Sequence, residues 1–113
     1  MVNYQRLPSG QLDNVFAALA HSKRRDMVHA LSFRPATVTQ LAKEYDLSLP
    51  AIHKHIRSLE KAELIHRKKV GRTNFVALNH ASLRLIQTWS GQYRTEWGSD
   101  EETLENYIAG LHD

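Results

Sequence analysis

Residues 37–78 read TVTQLAKEYDLSLPAIHKHIRSLEKAELIHRKKVGRTNFVAL, and this stretch decides the fold. Thr37 and Gln40 have the T-x-x-Q spacing of a capping box, in which each side chain satisfies the other residue's unpaired backbone N–H. The box opens a helix in which Val38, Leu41, Ala42 and Tyr45 are apolar. Asp46-Leu47-Ser48 reads as a three-residue turn, because Asp tolerates left-handed backbone better than most residues and Ser48 can cap a second helix. That helix runs from 49 to about 62 and turns Ile52, Ile56, Leu59 and Ala62 inward. Pro50 fits its first turn, where a missing N–H does no harm. Two short runs, 64–69 and 74–78, flank Val70-Gly71-Arg72-Thr73 and predict a hairpin.

Outward from this stretch the pattern is helical on both sides. Leu12, Val15, Phe16 and Leu19 recur at i, i+3, i+4 and i+7, which predicts a first helix over 11–20. Ser22 stands where an N-cap would, ahead of a second helix with Met27, Val28 and Leu31 inward. Pro35 stops that helix, since the residue before a proline is pushed out of helical geometry. Downstream, Asn79 caps a long fifth helix carrying Leu83, Ile86, Trp89, Tyr93 and Trp97. Gly98 interrupts it, and Ser99 with Glu102 forms a second capping box for a closing helix with Leu104, Ile108 and Leu111.

The 113 residues suit one domain, 1–113, and show no repeat, low-complexity tract or linker. No apolar run approaches the ~18–20 residues of a membrane span. The opening MVNYQRLPSG lacks the build of a secretory signal, so the expected location is cytoplasmic. The absence of cysteine removes disulfides and thiolate metal ligands together.

The net charge of +3 hides an asymmetry. Residues 99–113 carry −5, leaving +8 on the rest. Within 54–72, seven bases (Lys54, Arg57, Lys61, Arg67, Lys68, Lys69, Arg72) face two acids, Glu60 and Glu63. A local +5 over nineteen residues is an electrostatic footprint for a polyanion.

A helix that reads DNA buries one stripe against its scaffold and offers the opposite face to base edges. With Ile52, Ile56 and Leu59 inward, the outward set is Leu49, Pro50, His53, Lys54 and Arg57. The front of such a helix enters the major groove first, so His53, Lys54 and Arg57 are the candidates for base or nearby phosphate contacts. Thr37, Thr39, Gln40 and Ser48, at helix N-termini, are placed to bond phosphate oxygens. Lys68, Lys69 and Arg72 on the hairpin would follow the backbone or reach the minor groove. A merely solvated basic face would share the charge. It would not share the capping box, the short turn and the glycine-tipped basic hairpin in this order.

The run LDNVFAALAHSKRRDMVHAL together with residues 37–78 resembles the ArsR-type winged-helix repressors. The resemblance covers about residues 11–97. It rests on ALAH-S-x-R-R at the second helix, S-x-P-A-x-x-x-H in the fourth, and K-x-G-R in the hairpin. It implies a mostly α fold with a small β-hairpin: a helix-turn-helix over about 37–62, a wing over 64–78, and dimerisation helices over about 11–20 and 80–112. It further implies a homodimer that represses a promoter and is released by an effector. Candidate dimer contacts are Leu12, Val15, Phe16 and Leu19 with Ile86, Trp89, Tyr93 and Trp97. Asp46 and Glu63 stand where the family usually has glycine. A left-handed Glu63 would cost on the order of 1 kcal/mol, so either the helix ends differently or the hairpin leans.

Many members of that family sense metals through a cysteine pair in the third helix, where this chain has ATVTQLA. Carboxylate and histidine ligands on the fifth helix are the other family pattern, and here only His80 and Glu96 are available. His53 and His55 point to different faces, Asp26 and His29 supply only two ligands, and His21, His66, His80 and His112 are isolated. No metal or other cofactor is expected. The stripe Ile86, Trp89, Tyr93, Trp97 reads as core or dimer contact, with a pocket for an apolar effector as the alternative. Double-stranded DNA and a second copy are the expected partners. The competing reading is a winged-helix module that docks a protein. Nothing resembles a nucleophile elbow, a phosphate-cradling loop or an acid–base cluster, so an enzyme is not expected.

Overall fold

The computed structural model describes residues 9–93 and 98–111. The helix-turn-helix region forms as its punctuation dictates. In α3 (Val38–Glu44) the Thr37 hydroxyl accepts from the Gln40 N–H at 3.0 Å, and the Gln40 carbonyl oxygen accepts from the Thr37 N–H at 2.8 Å. In α4 (Leu49–Lys61) Ser48 is the N-cap, its hydroxyl accepting from the Ala51 N–H at 3.3 Å, and Pro50 lies in the first turn.

Both helices end in the same way. Asp46 and Glu63 have φ of 51° and 54°. After α3 the Leu47 N–H reaches back to the Ala42 carbonyl at 2.8 Å, and after α4 the Leu64 N–H reaches the Leu59 carbonyl at 3.0 Å. These bonds, with Asp46 to Lys43 and Glu63 to Glu60, make two Schellman closures. Glu63 therefore takes the left-handed position directly, and the helix end is not rearranged to avoid it.

Around this unit pack α1 (Ser9–Leu19) and α2 (Ser22–Phe33). A short strand, β1 (Ala36–Thr37), joins the hairpin of β2 (Ile65–Val70) and β3 (Thr73–Leu78) in a three-stranded antiparallel sheet of order β1-β3-β2. Ala36 pairs with Val76, and the hairpin register runs from Ile65 opposite Leu78 to Val70 opposite Thr73. Gly71, at φ 62°, supplies the positive dihedral of the two-residue turn. The core gathers Val15 and Ala18 from α1, Met27 and Leu31 from α2, Leu41 from α3, Ile52, Ile56 and Leu59 from α4, and Val76 from β3.

Three expectations need correction. The N-cap of α2 is His21, not Ser22: the Arg24 and Arg25 N–H groups both bond the His21 carbonyl at 3.1 Å, so Ser22 is already inside the first turn. The fifth helix, expected to run through Tyr93 towards residue 97, is α5 (Ala81–Gly91), and the closing helix expected after Gly98 is α6 (Thr103–Gly110). After α5 the Gln92 and Tyr93 N–H groups bond carbonyls three residues back, tightening and ending the helix. Trp97 and Glu96 lie outside the described residues. Finally, the Ser99 hydroxyl does accept from the Glu102 N–H, at 3.3 Å, yet α6 opens only at Thr103.

Candidate nucleic-acid interface

The sides of α4 divide cleanly. Ile52, Ile56 and Leu59 are fully buried, while Leu49, Pro50, Lys54 and Arg57 are exposed and His53 is half-buried. Leu49 is 57% exposed, large for an aliphatic side chain at a helix front, and it shares the outer end of the helix with Pro50 and Lys54. Thr39, Gln40 and Ser48 are exposed and Thr37 half-buried. Capping uses the acceptor lone pairs of the Thr37 and Ser48 hydroxyls and the carbonyl of Gln40. Their O–H and N–H donors are not consumed by those bonds, and donors are what an anionic oxygen requires.

The first strand and tip of the hairpin face solvent beyond Ile65: from His66 to Arg72 every residue is exposed, and Val70 is the one large apolar side chain among them. Opposed pairs Arg67–Val76 and Lys69–Asn74 share one face of the ribbon, and Lys68–Phe75 lies on the other. Lys68 and Lys69 thus project to opposite sides, with Arg72 at the tip. Arg67 is drawn back, its guanidinium 2.8 Å from a Glu60 carboxylate oxygen. That half-exposed pair ties hairpin to α4 and contributes at most about 1 kcal/mol.

Two polar clusters carry no signature in the motifs. Arg24 is buried, 6% exposed; its Nε donates to His55 Nδ1 at 3.0 Å and its Nη1 to Ser58 Oγ at 2.9 Å. Desolvation lowers the Arg24 pKa. A weaker signal was available, since Arg24 precedes Met27 and Leu31 by three and seven residues on the inward stripe of α2. Gln11 donates to the Ala62 carbonyl at 2.9 Å and to Ser82 Oγ at 3.2 Å, and Ser82 donates to the same carbonyl. This triangle joins α1, the end of α4 and α5. Elsewhere, burial and the neighbouring Glu44 and Asp26 raise the Tyr45 pKa.

The residues expected at a dimer contact divide in two. Val15 is fully buried and Leu12 nearly so, so both belong to the chain's own core. Leu19 and Ile86 are half-buried against that core. Phe16 and Tyr93 stay 41% and 56% exposed, and both meet Trp89 edge to face at 5.2 Å. Among the described residues no three His, Asp or Glu side chains come together as metal ligands.

The helix-turn-helix lies within the stretch that is similar to a known family model. Residues 19–68 match the family model described as a helix-turn-helix domain. The HTH-type transcriptional regulator Rv2034 of Mycobacterium tuberculosis is 30% identical over 76 residues, covering 67% of this chain and 71% of that protein. The transcriptional repressor SdpR of Bacillus subtilis is 28% identical over 78 residues, covering 69% and 87%. Among solved structures, the ArsR family transcriptional regulator RHA00566 superposes with a TM-score of 0.74 at 35% identity, covering 78% of this chain and 91% of that one. Sequence and superposition agree, and the chain belongs to the ArsR family of winged helix-turn-helix transcriptional regulators.

Proposed function

We propose that the chain is one winged-helix domain that binds operator DNA as a homodimer and represses transcription in the cytoplasm. The observation that carries this reading is the division of α4 into a buried aliphatic stripe and an exposed front bearing Leu49, Pro50, Lys54 and Arg57. In this reading His53, Lys54 and Arg57 face base edges and adjacent phosphates in the major groove, with Leu49 and Pro50 packing on the groove floor. Thr37, Thr39, Gln40 and Ser48 donate to phosphate oxygens. Lys68, Lys69 and Arg72 carry the wing's contact with the backbone or minor groove. The edge-to-face cluster of Phe16, Trp89 and Tyr93 supplies the apolar centre of the dimer contact, since interface cores favour aromatics.

Binding-site selection with the purified protein and a random duplex library tests it. The expected product is an imperfect palindrome with half-sites about 10–11 bp apart, or a near multiple. Enrichment without two-fold symmetry would contradict the homodimer. A docking module for another protein has one observation in its favour, the exposure of Leu104, Tyr107 and Ile108 on α6 and of Leu111 at its C-cap. Indifference to duplex DNA at low salt would favour that reading.

A further inference from the structure

The Arg24–His55–Ser58 cluster fastens α2 to the inner flank of α4, behind the residues assigned to DNA. A guanidinium carries five N–H donors and no acceptor. The 3.0 Å bond from Arg24 Nε therefore requires a lone pair on His55 Nδ1. His55 is held neutral, with its ring proton on Nε2. The charged neighbours that disfavour a proton on the ring are Arg24 and Lys23 from the start of α2 and Lys54 from α4 itself, with His21 acting in the same sense. The His21 ring meets it edge to face at 6.2 Å. Burial first, and then these cations, hold the His55 pKa below the ordinary histidine value. His55 is next to Lys54 and two residues from both His53 and Arg57, so a shift at its seat is felt at the helix face that carries them.

We propose that Arg24 and His55 are positioning residues for α4 and that the bond between them is a proton-sensitive lock on DNA binding. The proposal rests on the DNA-binding reading above. A proton from solvent taken up at Nδ1 removes the acceptor, breaks the Arg24 bond and sets two cations against each other across the α2–α4 seam. The helix then loses its fixed seat, and the operator is released as pH falls. The sign comes from the depressed value in the folded chain. Above the ordinary histidine pKa of about 6.5 the stabilisation is fully present. As pH falls below it, the unfolded chain binds the proton first, and the contribution is gone once His55 itself is protonated in the fold.

The test uses the full chain and compares wild type with His55→Asn, whose amide oxygen offers an acceptor near the Nδ1 position and does not titrate. The remaining six histidines are common to both proteins, and His21→Asn combined with each removes the ring in contact with His55 from the comparison. Affinity for a selected duplex is measured by polarisation at pH 7.5 and 5.5 and fixed ionic strength, alongside thermal melts without DNA. Wild type is expected to lose about tenfold more affinity than His55→Asn between the two pH values, and to lose more melting temperature. Identical pH dependence of the two proteins, with normal binding at pH 7.5, overturns the lock and leaves the DNA-binding reading intact. No binding by wild type at pH 7.5 and low salt overturns that reading, and the lock with it. Should His55→Asn fail to fold, the histidine ring signals of wild type decide by NMR. The lock requires His55 to titrate below 6.5 in step with α4 amides, and a His55 still charged at pH 7 rules it out.

Discussion

At Glu63 the chain accepts a left-handed backbone, φ 54°, with a side chain that gains nothing visible from it. The Schellman closure fixes the geometry: without it the Leu64 N–H would lose the Leu59 carbonyl, and the turn into β2 would be misdirected. The strain is on the order of 1 kcal/mol and falls away with glycine, offset in part by glycine's greater entropy loss on folding. Glu63→Gly should therefore raise stability by roughly 0.5 kcal/mol, whereas Glu63→Val should lower it by about 1 kcal/mol or more. Urea midpoints at constant m-value measure both, and destabilisation by glycine would contradict the assigned strain. Single residues were unevenly legible in sequence. The caps at Thr37 and Ser48 announce themselves because capping uses local spacing. Arg24 does not, because its partners lie 31 and 34 residues away and only the folded chain brings them together.

At the scale of elements, α4 and the hairpin divide the work of contact. In the proposed complex, helix-face residues near base edges would set sequence preference, while wing cations would meet phosphates and carry charge neutralisation. Lys68→Ala with Lys69→Ala should weaken binding to all duplexes alike and flatten the slope of log affinity against log salt by up to about 2. Arg57→Ala should instead cost about 1–3 kcal/mol at one or two operator positions while largely relaxing the preference there. A double hairpin variant with the wild-type salt slope would remove the wing from the interface. Elements with strong local period and caps were readable from the chain, α1, α3, α4 and the hairpin among them. Strand β1 was not, since two residues have no period and exist as a strand only by pairing Ala36 and Thr37 with β3. The extent of α5 was overread for a related reason: the 3-4-4 spacing of Ile86, Trp89, Tyr93 and Trp97 continues past the point where three-residue hydrogen bonds end the helix.

At the scale of the whole molecule, sequence spacing placed Val15 and Phe16 on one apolar stripe, but the fold separates their roles. Val15 is sealed in the core, and Phe16 is left at the surface against Trp89. Phe16→Asp should leave a cooperatively folded chain and shift the dimer to monomer in sedimentation equilibrium, lowering operator affinity because two half-sites are no longer bound together. Retention of the dimer by Phe16→Asp would move the interface elsewhere. The Gln11–Ala62–Ser82 triangle links α1 and α5, which carry this surface, to the end of α4, so polar contacts as well as the core fix how these helices sit within the chain. No period or motif in the chain signals that linkage.

In the proposed complex the exposed front of α4 meets the duplex. Amide chemical-shift mapping by NMR, with the selected operator added to the labelled protein, tests it most directly. Contact through α4 predicts the largest shifts across Ser48 to Arg57, a second group at Lys68, Lys69 and Arg72, and small shifts around Phe16 and Trp89. Shifts concentrated at Phe16, Trp89 and Tyr93, with the amides of His53, Lys54 and Arg57 unmoved, would contradict it.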